Sequence, residues 1–130
     1  MHIGEGGSAQ VHLNISTGYC IKTCLDFDNP PKNNFCAEAE IQIVAAQAGI
    51  SPAVISYSSE HIEMQYIESI TLDDYRLING DEALELERQE LLKIQLELNI
   101  INEDAHLQNF LVDTNNKLWL IDFGRAYFKQ

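Results

Sequence analysis

The C-terminal part of the sequence places oxygen-bearing side chains at a spacing that suits a divalent cation. Asp104 and Asn109 flank a short loop, and two apolar runs, FLVD and LWLI, then lead to Asp122 in the tripeptide DFG. The runs predict a hairpin around the polar turn 114–117, which would return Asp122 to the side of Asn109. Carboxylate and amide oxygens are the hard ligands that Mg²⁺ prefers. The pattern therefore predicts a magnesium site at Asn109 and Asp122, with Asp104 beside it.

A lysine in the N-terminal part is the candidate cation of the same site. In the run YCIKTCL, strand alternation puts Lys22 on one face with two cysteines. An ammonium group on such a face needs an anionic partner. The next predicted helix offers Glu38 and Glu40, which lie about 200° apart around its axis, so only one of them can face the strand. We predict Glu40, because Ile43 and Val44 follow it on the expected inward face, and Glu38 stays the alternative.

A glycine-rich segment precedes the lysine. It reads Gly4-x-Gly6-x-x-Ala9-x-Val11 and lies between two strand-like runs. Glycines at such a turn let backbone N–H groups approach phosphate oxygens. The same segment is also compatible with an ordinary hairpin turn. A P-loop of the Walker type is excluded, since no GK[ST] follows and the next element is a strand.

Taken in their order along the chain, these segments resemble those of the protein-kinase-like superfamily over essentially the whole chain. The resemblance implies binding of Mg-ATP, with Gly4, Gly6 and Val11 in the segment that covers the phosphates. The strand YCIK takes the place of the kinase VAIK strand. Lys22 would then contact the α- and β-phosphates and pair with Glu40.

The resemblance also assigns the residues of an adenine pocket. Cys20 falls where an alanine usually lies above the adenine ring, and Leu111 where the floor of the pocket is. The segment EMQYIE resembles the hinge of a kinase, so the Gln65 carbonyl and the Ile67 amide would bond the adenine edge. Met64 would guard the back of the pocket.

The remaining assignments concern the catalytic loop. By resemblance, Asp104 is the catalytic base, Asn109 a metal ligand and Asp122 the principal metal ligand. The usual His-Arg-Asp reads Asn-Glu-Asp over residues 102–104, so switching by a phosphorylated activation loop is not expected. His106 stands where many protein kinases carry a lysine beside the γ-phosphate. A histidine at this position resembles the arrangement in aminoglycoside phosphotransferases and other atypical kinases.

The segment after Gly124 is short. Only RAYFKQ follows, so we expect neither an activation segment nor helices that hold peptide substrates. In this respect the chain is similar to small effector kinases of pathogenic bacteria. A minimal kinase of a virus would show the same pattern. The expected location is the cytoplasm, or the host cytoplasm for a secreted effector or a viral protein.

The elements that must position these residues predict an α+β fold of one domain, 1–130. Residues 1–67 would form a kinase-like N-terminal lobe, an antiparallel sheet with one Ala-rich helix over 35–48. Residues 68–130 would form a minimal C-terminal lobe with a short helix capped by Thr71, a longer helix over 81–98 and the hairpin that carries the catalytic loop. A strand pair over 53–56 and 61–67 would complete the N-terminal lobe.

Composition limits the partners. The chain has 130 residues and a formal charge of −12, so nucleic acid is not an expected partner. No apolar run is long enough to span a bilayer, and three cysteines without a CxxC pair indicate reduced thiols. An apolar face on the helix 81–98 predicts a dimer or an obligate protein partner.

Two functions fit this sequence. The first is an enzyme, a minimal protein Ser/Thr kinase that transfers a phosphoryl group from Mg-ATP. The second is a pseudokinase, a nucleotide-binding or partner-binding module without transfer activity. The joint presence of Lys22, a partner glutamate, Asp104, Asn109 and Asp122 favours the enzyme, while the altered residues 102–103 and the acidic charge favour the module.

Overall fold

The N-terminal part of the chain is a five-stranded antiparallel sheet. The computed structural model describes residues 2–6, 9–24, 35–104 and 106–130. The strands are β1 (His2–Gly6), β2 (Ala9–Asn14), β3 (Tyr19–Cys24), β4 (Val54–Tyr57) and β5 (His61–Gln65), in the order β1-β2-β3-β5-β4. A turn joins β2 to β3, and Gly18 there takes a φ of 77°. The central strand β3, which carries Lys22, is thus held by β2 on one side and β5 on the other.

One helix, α1 (Phe35–Gln47), comes between β3 and β4 in the chain. Its Ala-rich sequence lacks Gly and Pro, which is why the helix was expected over 35–48. It ends before Gly49, whose φ of 80° is a left-handed conformation that favours glycine. The segment 26–34, whose residues DFDNPPKNN favour a loop, lies outside the described residues.

The C-terminal part contains two helices and two small antiparallel sheets. The helices are α2 (Leu72–Asn79) and α3 (Glu85–Glu97), and a 3₁₀ turn covers Leu107–Asn109. The strands are β6 (Ser69–Thr71), β7 (Ile100–Asn102), β8 (Phe110–Asp113), β9 (Leu118–Leu120) and β10 (Ala126–Phe128), paired in the orders β6-β8-β9 and β7-β10.

Several local predictions are confirmed in this part. Thr71 caps α2, since its Oγ1 accepts a hydrogen bond from the Asp74 amide at 3.2 Å. The β8–β9 hairpin forms around residues 114–117, and Asn116 there has a φ of 61°. The longer helix begins at Glu85 and not at Asp81, because Leu84 has a left-handed φ of 61° and interrupts the helical backbone.

A single buried cluster joins α1 to the C-terminal part. It combines apolar residues of α1 with those of β8, β9 and the segments around them, namely Ile41, Ala45, Ile50, Leu72, Ile100, Phe110, Val112, Leu118, Leu120 and Phe123. The predicted α+β class is confirmed by three helices and antiparallel sheets in the described residues. None of the helices described is long and apolar enough to cross a membrane.

Candidate functional site

Lys22 lies at the centre of the candidate site. The ladder of β2, β3 and β5 places Lys22 between Val11 and Ile62. Its side chain is only 12% exposed, and its Nζ lies 2.6 Å from Glu38 Oε2 and 3.5 Å from Asp122 Oδ1. A residue of β3, one of α1 and one following β9 therefore meet at a single ammonium group.

The prediction that Glu40 pairs with Lys22 is wrong, and the alternative, Glu38, is the partner. Glu38 is 5% exposed, whereas Glu40 is exposed to solvent. The rotation of α1 is decided by Phe35 and Ala39, which pack in a buried cluster with residues of β3 and β5. Ile43 and Val44 are only half-buried, so they do not mark the inward face as expected.

The electrostatics of this cluster hold the lysine charged. Burial lowers the pKa of Lys22, but the carboxylates of Glu38 and Asp122 outweigh it and leave the pKa raised. Burial raises the pKa of Glu38, and the neighbouring Lys22 ammonium offsets this in part. The cluster thus places one ammonium group between two carboxyl groups, and their mutual attraction offsets part of the cost of burying them.

The tripeptide 122–124 is held in a specific backbone conformation. Asp122 has a positive φ of 66°, and its Oδ1 accepts a hydrogen bond from the Gly124 amide at 3.2 Å. Phe123 is 1% exposed and belongs to the buried cluster that includes α1. A Cβ placed on Gly124 would lie 3.2 Å from Glu38 Oε1, so this position favours glycine through close approach. The burial of Phe123 anchors Asp122 beside Lys22.

The loop before β8 brings Asp104 and Asn109 together. The Asn109 side-chain amide donates to the Asp104 carbonyl at 2.5 Å, and the Ile121 amide donates to the Asn109 carbonyl at 2.9 Å. Asn109 is 7% exposed, and this bond leaves its Oδ1 as the atom able to bind a cation. The backbone link to Ile121 fixes Asn109 next to the residue that precedes Asp122. The hairpin therefore connects the two predicted metal ligands as expected.

Asp104 itself is linked to His106. His106 Nε2 lies 3.0 Å from Asp104 Oδ1, with Asp104 24% and His106 68% exposed. The Asp104 amide also donates to Asn102 Oδ1 at 3.0 Å, so Asn102 closes the turn that presents the carboxylate. The buried Nδ2 of Asn102 has no hydrogen-bond partner among the described residues.

The donors present suit a hard cation better than a soft one. Asn109 and Asp122 offer an amide oxygen and a carboxylate, and Asp104 offers a second carboxylate nearby. Within the described residues, no group of three or more His, Cys, Asp and Glu side chains is arranged to hold a metal ion. A magnesium ion held by these residues would thus take part of its coordination from water or from phosphate.

The predicted adenine-pocket residues fall into two groups. Cys20 and Met64 are cross-strand partners on β3 and β5, and both are buried in one cluster with half-buried Val11 against it. Burial raises the pKa of the Cys20 thiol to about 11, which disfavours the thiolate form. Gln65 ends β5, and Ile67 lies in the connection between the sheets.

The other predicted nucleotide contacts lie at the two ends of the site. Leu111 is half-buried on β8, where it pairs with Trp119 and Thr71. Gly4 and Gly6 lie in β1 and pair with Val11 and Ala9 of β2. The tip of the predicted phosphate loop, residues 7–8, lies outside the described residues.

Sequence reasoning missed two features that shape this site. Gln42, four residues after Glu38, is buried with it on the same side of α1. Strand β10, just after the tripeptide, pairs with β7, just before the loop that carries Asp104 and Asn109. A polar residue at helical spacing from Glu38 was the available signal for Gln42. Three-residue strands such as β7 and β10 leave no comparable pattern.

Compared with known proteins, the chain matches no protein-family model and no curated protein sequence.

Proposed function

We propose that this chain is a minimal protein-kinase-like domain that binds Mg-ATP and transfers its γ-phosphoryl group to a protein Ser or Thr hydroxyl. The observation that carries the proposal is the position of Lys22 between Glu38 and Asp122, at 2.6 Å and 3.5 Å. A buried lysine with two carboxyl neighbours is a costly arrangement for stability alone. It suits a site where the lysine has to be held in place for an anionic ligand.

Each residue has a distinct part in the proposed reaction. Lys22 would bind the α- and β-phosphates, with Glu38 orienting its ammonium group. The oxygen atoms of Asn109 and Asp122 would hold Mg²⁺, which neutralises phosphate charge when bound. The Asp104 carboxylate would accept the proton of the acceptor hydroxyl as the new O–P bond forms, while the bond from the γ-phosphorus to the bridging oxygen breaks and ADP leaves.

The nucleotide base would enter between the five-stranded sheet and the sheet of β6, β8 and β9. Cys20, Met64 and Val11 provide the apolar surface on the side of the first sheet, and Leu111 lies on the other. Main-chain groups of Gln65 and Ile67 would bond the adenine edge. The Gln65 amide donates to the Ala53 carbonyl at 2.8 Å, which fixes the end of β5 where this edge contact would form.

A protein partner is part of the proposal. Two large apolar side chains of α3, Leu86 and Leu96, are 78% and 60% exposed. These leucines fit the expectation that a docking partner, a protein substrate or a second copy of the chain covers this helix.

The second candidate is a pseudokinase, which binds nucleotide or a partner without transfer. The contact of His106 Nε2 with Asp104 Oδ1 favours it, because it occupies an oxygen that an acceptor hydroxyl would need. The two candidates differ in what happens to bound ATP.

A labelled-ATP experiment distinguishes them. The wild type, Asp104→Asn and Asp122→Asn would be incubated with Mg²⁺ and ATP labelled on either the α- or the γ-phosphate, together with a mixture of protein acceptors. Asp81→Asn, at an exposed position before α3, is the matched control. Transfer of γ-label by the wild type and the control, lost in the other two variants, supports the kinase. A Mg-ATP-dependent thermal shift without transfer supports the pseudokinase, and transfer of α-label contradicts both.

A further inference from the structure

A buried amide on α1 connects the candidate site to its surroundings. Gln42 is 2% exposed. Its Nε2 donates to the Pro52 carbonyl at 2.9 Å and lies 3.5 Å from Met64 Sδ, a weak hydrogen bond to sulfur. Burying an amide is costly unless its hydrogen bonds are made, so these two contacts decide where the side chain lies.

Gln42 is one turn of helix beyond Glu38, and both are buried. One side of α1 thus makes two polar connections to the sheet, from Glu38 to Lys22 on β3 and from Gln42 to Met64 on β5. Two connections on neighbouring strands resist rotation of the helix about its axis, which one connection alone would allow. Rotation of α1 is what would withdraw Glu38 from Lys22.

The Pro52 carbonyl belongs to a short segment, 50–53, that also contacts the hairpin and the end of β5. The Leu120 amide donates to the Ile50 carbonyl at 2.7 Å, and Ser51 Oγ donates to the Leu120 carbonyl at 2.8 Å. The Gln65 amide donates to the Ala53 carbonyl at 2.8 Å. Gln42 therefore binds a segment that is fixed to the strand leading to Asp122 and to the predicted hinge.

We infer that Gln42 is a positioning residue, which through Met64 and Pro52 fixes the back of the nucleotide pocket relative to Glu38. This inference rests on the proposed function for its effect on nucleotides, but its effect on Met64 can be measured without any ligand. An aliphatic residue of similar size in place of Gln42 would fill the same space but would form no hydrogen bond to Met64 Sδ or to the Pro52 carbonyl.

The test compares Gln42→Leu with Gln47→Leu, which removes an exposed amide from the same helix. The chain has two methionines, Met1 and Met64, so methyl-¹³C-methionine labelling gives a simple NMR spectrum in which Met64→Leu assigns the signal. We expect the Met64 methyl signal to move and broaden in Gln42→Leu and to stay unchanged in Gln47→Leu. An unchanged Met64 signal in a folded Gln42→Leu protein would overturn the inference.

A second measurement concerns selectivity. An ATP analogue with a benzyl group on N6 should be excluded when Met64 is held in place, so the ratio of its Kd to that of ATP is high in the wild type. We expect Gln42→Leu to lower this ratio about fivefold, the equivalent of one lost hydrogen bond. Equal weakening of both ligands, with the ratio preserved, would reduce Gln42 to a structural role and contradict the inference. If the wild type binds neither nucleotide, the proposed function fails, while the NMR comparison still decides the role of Gln42.

A measurement on the wild type covers the case in which Gln42→Leu does not fold. The side-chain amide protons of Gln42 should exchange with solvent far more slowly than those of exposed Gln47, because they are buried and bonded. Exchange of both amides at the same rate would also overturn the inference.

Discussion

Glu38 on α1 and Gly124 after β9 approach so closely that a methyl group on Gly124 would lie 3.2 Å from Glu38 Oε1. The same methyl group would lie 3.3 Å from Asp122 Oδ1. These are the two oxygen-bearing groups around Lys22, so the absence of a side chain at Gly124 is what allows them to converge on one ammonium group.

Gly124→Ala should therefore disturb the Lys22 cluster. Because the end of the Glu38 side chain can move by a few tenths of an ångström, we expect a modest cost of about 1 kcal/mol in the free energy of unfolding, measured by urea denaturation. Glu38→Ala removes Oε1, the oxygen atom that the new methyl group on residue 124 would approach. Gly124→Ala should then cost less in the Glu38→Ala background than in the wild type, and equal costs in both backgrounds would contradict the steric explanation.

The two glutamates of α1 should respond very differently to substitution. Glu38→Ala leaves the Lys22 ammonium with Asp122 as its remaining ion-pair partner among the described residues, and we expect a loss of about 3 kcal/mol in the free energy of unfolding. Glu40→Ala removes an exposed side chain and should change stability by less than about 0.5 kcal/mol. Chemical denaturation of both variants measures the difference. Similar losses in the two would show that Glu38 is not the partner in solution.

The prediction of Glu40 shows where sequence reasoning about this site reached its limit. The spacing of the two glutamates correctly required that only one face the strand, since that follows from helix geometry alone. Which one does so depends on how Phe35 and Ala39 pack against β3 and β5, a contact between distant parts of the chain. Half-buried Ile43 and Val44 gave a misleading indication of the inward face.

The C-terminal part of the site was more predictable because it is local. Asn109 and Asp122 are joined by one hairpin, whose strands and polar turn are evident in the sequence, and the Ile121 amide does donate to the Asn109 carbonyl. The pairing of β7 with β10 was not predictable in the same way. Each strand has three residues, and the two are separated by the loop of Asp104 and Asn109 and by the β8–β9 hairpin, so no local pattern indicates that they pair.

The connection between α2 and α3 should make stability depend on acid pH. Arg88 and Arg76 both bind Glu85, and hydrogen bonding from Arg88 is the main cause that lowers the Glu85 pKa from 4.5 to about 2. Since the folded-state pKa lies below the unfolded one, this stabilisation is present above pH 4.5 and is lost as the pH falls through about 2.

Glu85→Gln should remove that dependence. We expect its free energy of unfolding to fall less steeply than that of the wild type between pH 4.5 and pH 2, as followed by urea denaturation at each pH. Glu87→Gln, at an exposed position on the same helix, serves as the control and should keep the slope of the wild type. Parallel pH curves for Glu85→Gln and the wild type would show that the arginines do not hold Glu85 in solution.

Removal of magnesium tests the proposed roles of Asn109 and Asp122 without reference to any acceptor. If these residues hold Mg²⁺ together with ATP, a hundredfold excess of Mg-ATP over its Kd should stabilise the wild type by about 2.7 kcal/mol, and ATP with EDTA should stabilise it much less. The difference arises because, in a chain with a charge of −12, the cation offsets repulsion between the triphosphate and nearby carboxylates.

Asp122→Asn and Asn109→Ala should both abolish the difference between Mg-ATP and ATP with EDTA, while Asp81→Asn retains it. Thermal denaturation with and without EDTA measures each value. Stabilisation by ATP that is the same in EDTA as in Mg²⁺ would mean that the nucleotide binds without these residues acting as metal ligands.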